Sequence, residues 1–240
     1  MIFEARNITK SFKDRLVLRG ISLSFNVGEV VGILGPNGAG KTTLFSILTG
    51  IINADTSNIS LGNKDITNLK IHERSKAGIV YLPQDSSIFR GLNVEDNIKA
   101  VLQITYSSKE QIESKLNELL DSFSLIHLRK AKAPFLSGGE RRKVEIARAL
   151  ATSPSYLMLD EPFSGVDPIS VNEIISIIRN LKNLNIGIII TDHNVRETLQ
   201  VIDRGYIIAN GKILTSGTPQ EIANDKNARE LYLGDDFKLY

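Results

Sequence analysis

The sequence of 240 residues contains no cysteine and carries almost no net charge. Without cysteine the chain can form neither disulfides nor thiolate metal sites, which fits a reducing compartment. Its 29 basic and 27 acidic side chains give a net charge of +2, so electrostatics offer no reason to propose a nucleic acid as partner. We therefore expect a cytoplasmic protein with no nucleic-acid partner.

Long hydrophobic stretches are also missing. The longest apolar runs, such as residues 186–190, have the length of a strand, whereas a membrane-spanning helix needs about 20 apolar residues. Residues 1–6 lack the basic region, apolar core and small-residue cleavage site of a signal peptide. The chain is therefore expected to stay where it is made and not to cross a bilayer by itself.

The apolar runs that are present predict an α/β fold. Residues 30–34, 78–82, 156–159 and 188–190 read as buried strands with helical patterns between them, which is typical of a mostly parallel sheet covered by helices. Residues 1–24 read as an antiparallel β-rich segment with a polar turn.

Two further segments differ from this alternation of strands and helices. Between about residues 93 and 133 the strands stop, and the spacing of apolar residues from Ile112 to Phe123 predicts one helical face. The tail from residue 204 predicts two short strands joined at Gly211, and then a helix that Thr218 caps.

A glycine-rich segment between the first buried strand and a helix fits the phosphate-binding pattern G-x-x-x-x-G-K-[ST]. Backbone N–H groups there would surround a β-phosphate, Lys41 would reach the β- and γ-phosphates, and the Thr42 hydroxyl would bind Mg²⁺. The alternative is a glycine-rich turn with a solvated lysine, which the flanking strand and helix disfavour. This phosphate loop consists of Gly35, Pro36, Asn37, Gly38, Ala39, Gly40, Lys41, Thr42 and Thr43.

Two adjacent carboxylates, Asp160 and Glu161, end the apolar strand at residues 157–159. Alternation along a strand predicts that they point in different directions. Asp160 would then hold Mg²⁺, and Glu161 would accept a proton from the water that attacks the γ-phosphate. An isolated Asp-Glu pair would be interpreted as a surface turn, but the phosphate loop upstream favours the catalytic role.

A second glycine-containing loop lies between these two motifs. Two glycines beside a serine allow the backbone to approach an anion, and the helix that follows favours negative charge at its N-terminus. We call this segment the signature loop; it consists of Leu136, Ser137, Gly138, Gly139 and Glu140.

With these motifs in this order, nearly the whole chain resembles the ATP-binding cassette (ABC) superfamily. The resemblance implies an ABC-type P-loop NTPase fold forming a single nucleotide-binding domain over residues 1–240, with a helical subdomain at about residues 93–133. It implies binding and hydrolysis of ATP with Mg²⁺. It also implies that the signature loop completes the ATP site of a second copy, so that the working unit is a homodimer.

The resemblance also implies roles for four residues whose local sequence does not indicate a function. Gln84 matches the glutamine that contacts Mg²⁺ or the attacking water, and His193 matches the histidine that contacts the γ-phosphate. Asp167 matches the aspartate of the D-loop, which crosses the dimer interface. Phe12 stands where an aromatic ring stacks on adenine, although an ordinary core phenylalanine is the alternative.

Within the superfamily, several segments closely resemble the ATPase subunits that power lipopolysaccharide export from the inner membrane of Gram-negative bacteria. That resemblance implies two different transmembrane subunits as partners, and membrane association through them alone. Phe89 and Arg90 would lie in the groove that receives their coupling helices, unless Phe89 packs on its own helical subdomain. The segments are residues 81–90, 138–148, 166–171, 191–199 and 232–237.

Two other functions remain as alternatives. One is the ATPase of another transporter, particularly a branched-chain amino-acid importer, which shares much of this layout. The other is a soluble ABC protein acting on ribosomes or DNA. The single cassette, the absence of heptads and the near-neutral charge argue against the second.

Overall fold

The computed structural model describes residues 1–234 and 236–239 as two β-sheets with helices around them. Asp235, in the tail segment that resembles the export ATPases, lies outside the described residues, as does Tyr240. The strands are β1 (Ile2–Phe12), β2 (Arg15–Asn26), β3 (Val30–Leu34), β4 (Thr56–Leu61), β5 (Lys64–Asp65), β6 (Ile79–Leu82), β7 (Tyr156–Asp160), β8 (Gly187–Thr191), β9 (Arg204–Ala209) and β10 (Lys212–Gly217). The α-helices are α1 (Lys41–Leu48), α2 (Ile71–Lys76), α3 (Val94–Thr105), α4 (Lys109–Ser122), α5 (Gly138–Leu150), α6 (Pro168–Asn183), α7 (Val195–Val201), α8 (Pro219–Asn224) and α9 (Lys226–Ala228).

The larger sheet has six strands in the order β10-β9-β3-β8-β7-β6. Every neighbouring pair in it is parallel except β10 with β9. The mostly parallel sheet predicted from the short apolar runs is therefore confirmed. Because the carboxyl ends of β3, β6, β7 and β8 meet at one edge, the loops that follow these strands come together there.

The smaller sheet is antiparallel, in the order β2-β1-β4-β5. The first two strands and the turn between them were predicted, whereas β4 and β5 were not. Residues 56–58 are all polar, residues 58–61 alternate polar and apolar side chains, and in β4 only Ile59 and Leu61 are buried. This pattern is typical of a strand with one exposed face. Such a strand has no continuous apolar run, so it was not predicted.

The two sheets enclose one core, and the helices cover a second core on the far face of the larger sheet. All five residues of β3 are buried. Val31 and Ile33 belong to the core between the sheets, and Val30 and Leu34 belong to the helical side. This explains why β3 is apolar at every position, since both of its faces are covered.

Tyr156, at the start of β7, ties the two sheets together. Its side chain is fully buried, and its hydroxyl oxygen accepts a hydrogen bond from Phe3 N at 3.1 Å. The same oxygen lies 2.9 Å from the carbonyl oxygen of Phe25 in β2. Burial raises the pKa of Tyr156 to about 12, so the hydroxyl keeps its proton and can donate.

The segment predicted as helical carries α3 and α4. The apolar side chains along α4 and at its C-cap are buried as expected, and they join the core on the helical side of the larger sheet: Ile112, Leu116, Leu119, Leu120 and Phe123. Asn93 and Ser108 begin the two helices by accepting N–H bonds from Asp96 and Gln111. Within residues 1–234 and 236–239, no helix combines the length and apolarity that crossing a bilayer requires.

Candidate active site

The phosphate loop connects β3 to α1 as predicted, and its backbone favours glycine at three positions. Gly35, Gly38 and Gly40 have φ angles of +146°, +77° and +106°, a region that favours glycine. A Cβ at Gly35 would also lie 2.0 Å from Ile208 O in the neighbouring strand β9. The loop thus curls tightly at the edge of the sheet, and its last three residues, from Lys41 to Thr43, form the start of α1.

Lys41 folds back along the phosphate loop. Its Nζ donates to Gly35 O at 2.6 Å and to Pro36 O at 3.1 Å. Burial lowers the pKa of Lys41, and the charge of Glu161 opposes that shift. The ammonium is therefore held beside the loop by neutral carbonyl groups, with one carboxylate nearby.

The loop forms one side of a groove of about 310 Å³. Both carboxylates at the end of β7 line the same groove, so the predicted phosphate site and the predicted catalytic acids meet. The lining residues are Arg15, Val17, Asn37, Gly38, Gly40, Lys41, Thr42, Thr43, Asp160, Glu161 and Thr191.

Asp160 and Glu161 occupy different environments. Asp160 is the last residue of β7 and is buried, and burial raises its pKa. Its Oδ2 accepts a hydrogen bond from Tyr81 Oη at 2.9 Å. The Tyr81 hydroxyl therefore fixes one oxygen of the carboxylate predicted to hold Mg²⁺.

Glu161 lies beyond β7, so strand alternation, which we predicted would direct its side chain, does not apply to it. Glu161 lies past the end of β7 with a φ of +45°, which is uncommon for a residue with a side chain. Its N–H donates to Thr191 O at 2.7 Å, which joins the ends of β7 and β8. This left-handed turn, rather than alternation, separates its carboxylate from that of Asp160.

Gln84 and His193 both bind the Glu161 carboxylate. Gln84 Nε2 donates to Glu161 Oε2 at 2.7 Å, and His193 Nδ1 lies 3.1 Å from the same oxygen. The Nδ1-protonated tautomer of His193 suits this contact. Sequence analysis assigned all three residues to one reaction, and the structure brings them into direct contact.

Asp192 stiffens the turn that carries His193. Its side chain is fully buried and accepts from Phe163 N at 3.0 Å and Asn194 N at 2.8 Å. Burial raises its pKa, and these two N–H groups oppose the shift. Sequence analysis did not single out Asp192, although a carboxylate immediately after a buried strand was a visible signal.

Phe12 ends β1 with 48% of its surface exposed. The alternative of an ordinary core phenylalanine is therefore wrong. Lys10 Nζ lies 5.5 Å from the centre of the ring. An exposed aromatic face at this position is available for stacking, so the role predicted for Phe12 stays open.

The signature loop begins α5 with a reciprocal cap. Glu140 N donates to Ser137 Oγ at 3.2 Å, and Ser137 N donates to Glu140 Oε2 at 2.8 Å. Gly138 is exposed, whereas Gly139 is buried, and a Cβ there would lie 2.4 Å from Ser170 Oγ. Gly139 is thus required for packing within the chain, in addition to the backbone approach predicted for it.

Asp167 caps α6. Its Oδ1 accepts from Ile169 N at 3.1 Å and Ser170 N at 3.0 Å, and its Oδ2 accepts from Ser170 Oγ at 2.6 Å. These bonds lower the pKa of Asp167. The carboxylate is exposed but already bonded inside its own chain, so any contact across an interface would use a preorganised side chain.

The loop that carries Gln84 packs against α5, which sequence analysis did not anticipate. We call residues 83–87 the glutamine loop. Ser86 Oγ and Ser87 N each donate to Glu145 Oε1 at 2.8 Å, and Arg142 Nη1 donates to Pro83 O at 3.1 Å. The spacing of Arg142 and Glu145 along a helix was visible, but their burial was not.

Phe89 and Arg90 are both exposed, as a contact surface requires. The Phe89 ring lies 4.7 Å from the Arg148 guanidinium, and Phe89 N donates to Asn97 Oδ1 at 2.8 Å. Arg148 Nη2 also donates to Ser87 Oγ at 2.5 Å. Phe89 therefore contacts α5 and the start of α3 while keeping 48% of its surface exposed.

A strand, a phosphate loop and a helix at the edge of a parallel sheet, with two carboxylates in the same groove, define a P-loop nucleotide-binding domain. The sequence matches the ABC transporter family over residues 18–164, and the chain belongs to that family. The resemblance and the fold class predicted from the motifs are confirmed.

Individual relatives extend over nearly the whole chain. An ABC transporter ATP-binding protein of Rhizobium meliloti is 54% identical over 98% of this chain and 87% of that protein. The lipopolysaccharide export system ATP-binding protein LptB of Escherichia coli is 52% identical over 98% of each chain. The ADP conformation of MJ1267, an ATP-binding cassette of an ABC transporter, matches with a TM-score of 0.88 at 33% identity, covering 98% of this chain and 99% of that one.

Proposed function

We propose that this chain hydrolyses ATP as the nucleotide-binding subunit of a lipopolysaccharide-exporting ABC transporter. The observation that carries the ATPase part is the contact of Glu161 with Gln84 and His193 beside the phosphate loop. The observation that carries the transport part is 52% identity with LptB over 98% of both chains.

The groove suits the phosphates of ATP. The backbone N–H groups of the phosphate loop and the ammonium of Lys41 would bind the β- and γ-phosphates, and the exposed ring of Phe12 would stack on the adenine. Two carbonyl groups of the loop already hold the ammonium beside the backbone N–H groups that would bind the phosphates.

The oxygen donors near the groove fit Mg²⁺. The described residues hold no cluster of three or more His, Cys, Asp or Glu side chains able to bind a metal by themselves. The Thr42 hydroxyl, the Asp160 carboxylate and the Gln84 amide oxygen are hard donors that would complement phosphate oxygens and waters, as Mg²⁺ prefers. When bound, the ion would neutralise charge on the phosphates.

Glu161 would act as the general base. Water attacks the γ-phosphorus, the bond to the β–γ bridging oxygen breaks, and the products are ADP and inorganic phosphate. Both hydrogen bonds to Glu161 fall on Oε2, which leaves Oε1 to take the proton from the water. His193 and Gln84 would hold the carboxylate in position and contact the γ-phosphate and the water.

A homodimer would complete each site. Within the described part of the chain, none of the residues that line the phosphate-loop groove comes from the signature loop. That separation supports a site in which one copy supplies the phosphate loop and the other supplies the signature loop, with Asp167 crossing between the copies. ATP bound between the two copies would close the dimer, and hydrolysis would reopen it.

Transmembrane partners would hold the protein at the cytoplasmic face of the inner membrane. Phe89 and Arg90 are the residues proposed to receive them. Their exposure supports this role, because an aromatic ring beside a fixed charge suits a protein contact. The ATPase would drive lipopolysaccharide out of the inner membrane through those partners without touching it.

The substitution Glu161→Gln tests the base. The amide keeps the size of the side chain but cannot take the proton, so kcat should fall by roughly 100-fold or more while ATP binding persists. Glu118→Gln, at an exposed glutamate that pairs with Lys115 on α4, is the matched control and should keep wild-type turnover. Normal hydrolysis by Glu161→Gln would contradict the assignment.

A mixed dimer tests the shared site. Combining a Ser137→Arg subunit with a Lys41→Ala subunit leaves one composite site with both of its parts intact. That mixture should bind one ATP per dimer in a filter assay. Each variant alone should form no dimer that holds ATP between its two copies. Absence of ATP-dependent dimers in the mixture would contradict sites shared between copies.

Co-purification from detergent-solubilised membranes tests the transport assignment. Mass spectrometry should identify two lipopolysaccharide-export permease subunits, and recovery of an amino-acid permease would refute the assignment. Arg90→Glu should weaken this assembly more than it weakens basal hydrolysis, while Lys64→Glu, at an exposed cation on the antiparallel sheet, should change neither. Equal losses of assembly and hydrolysis in Arg90→Glu would argue against a docking role.

A further inference from the structure

The glutamine loop is held at one end by a buried carboxylate of α5. Glu145 Oε1 accepts hydrogen bonds from both Ser86 Oγ and Ser87 N at 2.8 Å. Only 3% of the Glu145 surface is exposed, so these bonds are shielded from water. A carboxylate that accepts a backbone N–H fixes the path of the chain as well as one side chain.

The other end of the same loop is held by the partner of that carboxylate. Arg142 Nη1 pairs with Glu145 Oε2 at 3.2 Å and donates to Pro83 O at 3.1 Å. Arg142 Nη2 reaches the carbonyl oxygen of Asp160 at 3.4 Å. One ion pair thus contacts the residue before Gln84, the loop after it and the end of β7.

Stability alone does not explain why the Arg142–Glu145 pair is buried. Arg142 and Glu145 are 6% and 3% exposed, and desolvation lowers the pKa of Arg142. Well-packed apolar residues of similar volume are often as stabilising as a buried ion pair. What apolar residues cannot supply is the set of directional bonds to the glutamine loop.

We propose that the Arg142–Glu145 pair is a positioning device that holds Gln84 at the carboxylate of Glu161. The pair touches no reacting atom and acts through the glutamine loop, whose Gln84 Nε2 lies 2.7 Å from Glu161 Oε2. The role rests on the ATPase function proposed above. Small displacements of a catalytic group cost large factors in rate, so the pair controls turnover rather than ATP affinity.

Steady-state kinetics test this role with a matched control at an ion pair that links α5 to α6. Lys143 Nζ pairs with Glu173 at 2.8 Å, outside the glutamine loop, and the Glu173 side chain is 48% exposed. Glu145→Ala should lower kcat by roughly 10-fold and leave KM for ATP within about 2-fold, whereas Glu173→Ala should change neither. Glu145→Gln keeps an acceptor for the loop and should recover most of the loss.

A double-mutant cycle identifies the route of the effect. If Glu145 acts through Gln84, then Glu145→Ala should lower kcat no further in a Gln84→Ala background. The single Glu145→Ala loss should also not exceed the Gln84→Ala loss. Equal losses in both backgrounds, or a parallel rise in KM, would overturn the proposal.

Amide hydrogen exchange separates this proposal from the proposed function. The Ser87 N–H is bonded to Glu145 without any nucleotide, so Glu145→Ala should speed its exchange by about 10-fold or more while amides of β8 are unchanged. If the wild-type chain failed to hydrolyse ATP, the ATPase function would be refuted. Unchanged exchange of the Ser87 N–H in Glu145→Ala would refute the positioning role of the Arg142–Glu145 pair, whether or not the chain hydrolyses ATP.

Discussion

Alanine at Gly139 should destabilise this protein, whereas alanine at the neighbouring Gly138 should not. A Cβ at Gly139 would lie 2.4 Å from Ser170 Oγ and 2.7 Å from Ser170 Cβ, closer than side-chain atoms can approach. At Gly138 the nearest atom would be Gly165 O at 3.7 Å, an ordinary contact. The two substitutions are chemically identical and adjacent in one helix, so their difference isolates packing between α5 and α6.

The size of the effect follows from two opposing terms. Overpacking a tight contact costs about 1–3 kcal/mol. Alanine recovers roughly 0.5–1 kcal/mol over glycine because it restricts the unfolded chain and favours helix. A net loss of about 1–2 kcal/mol lowers Tm by roughly 2–8 °C in a domain of this size. Gly138→Ala has no overpacking term, so it should be as stable as the wild type or more stable by up to about 1 kcal/mol.

Thermal and urea unfolding, followed by circular dichroism, measure both variants. The contact with Ser170 is tested by adding Ser170→Gly, which removes both clashing atoms. The double variant should be more stable than the sum of the two single losses predicts, with a coupling of about 0.5 kcal/mol or more. Equal stability of Gly139→Ala and Gly138→Ala, or strict additivity with Ser170→Gly, would refute the reasoning.

Other residues give further tests. Arg74 is 2% exposed and donates to four backbone carbonyls, so Arg74→Met should cost about 3 kcal/mol in urea unfolding by leaving buried acceptors unpaired. Tyr81→Phe removes a bond that lowers the pKa of Asp160, so the pKa of Asp160 in the metal-free protein, followed by NMR titration, should rise. The Asp167 pKa is depressed, so its stabilising cap is fully present above the ordinary aspartate pKa of about 4 and is lost as pH falls below it. Asp167→Asn should flatten that acid-side loss in Tm measured from pH 7 to pH 3.

The larger sheet was predictable because its strands are buried on both faces. A strand such as β3 is apolar at every position, and glycine or a turn residue marks its end. The phosphate loop was predictable for a related reason, since only glycine accepts the backbone at Gly35 and Gly40. Where burial or backbone geometry permits one class of residue at a position, the local structure can be predicted from the sequence.

Long-range burial was not predictable. Arg142 and Glu145 look like an exposed pair on a helix until the glutamine loop, about 60 residues earlier in the chain, is packed over them. The left-handed turn at Glu161 could not be predicted from the sequence, because glutamate has no preference for a positive φ. Both features depend on contacts between distant segments, which local patterns do not encode.

Contacts between distant segments also give the carboxylates of Asp160, Glu161 and Asp192 different environments. Asp160 and Asp192 are buried, their pKa values are raised, and their oxygens are bound by the Tyr81 hydroxyl or by backbone N–H groups. Glu161 lies past the strand, its side chain is 26% exposed, and its hydrogen bonds fall on one oxygen. A base that must accept a proton from a water needs an oxygen directed at the groove and free of donors. Of the three, Glu161 is the most exposed and lines the groove with an oxygen that accepts no hydrogen bond, so we propose it as the base. Asp160 is the proposed Mg²⁺ ligand, and Asp192 holds the turn that carries His193.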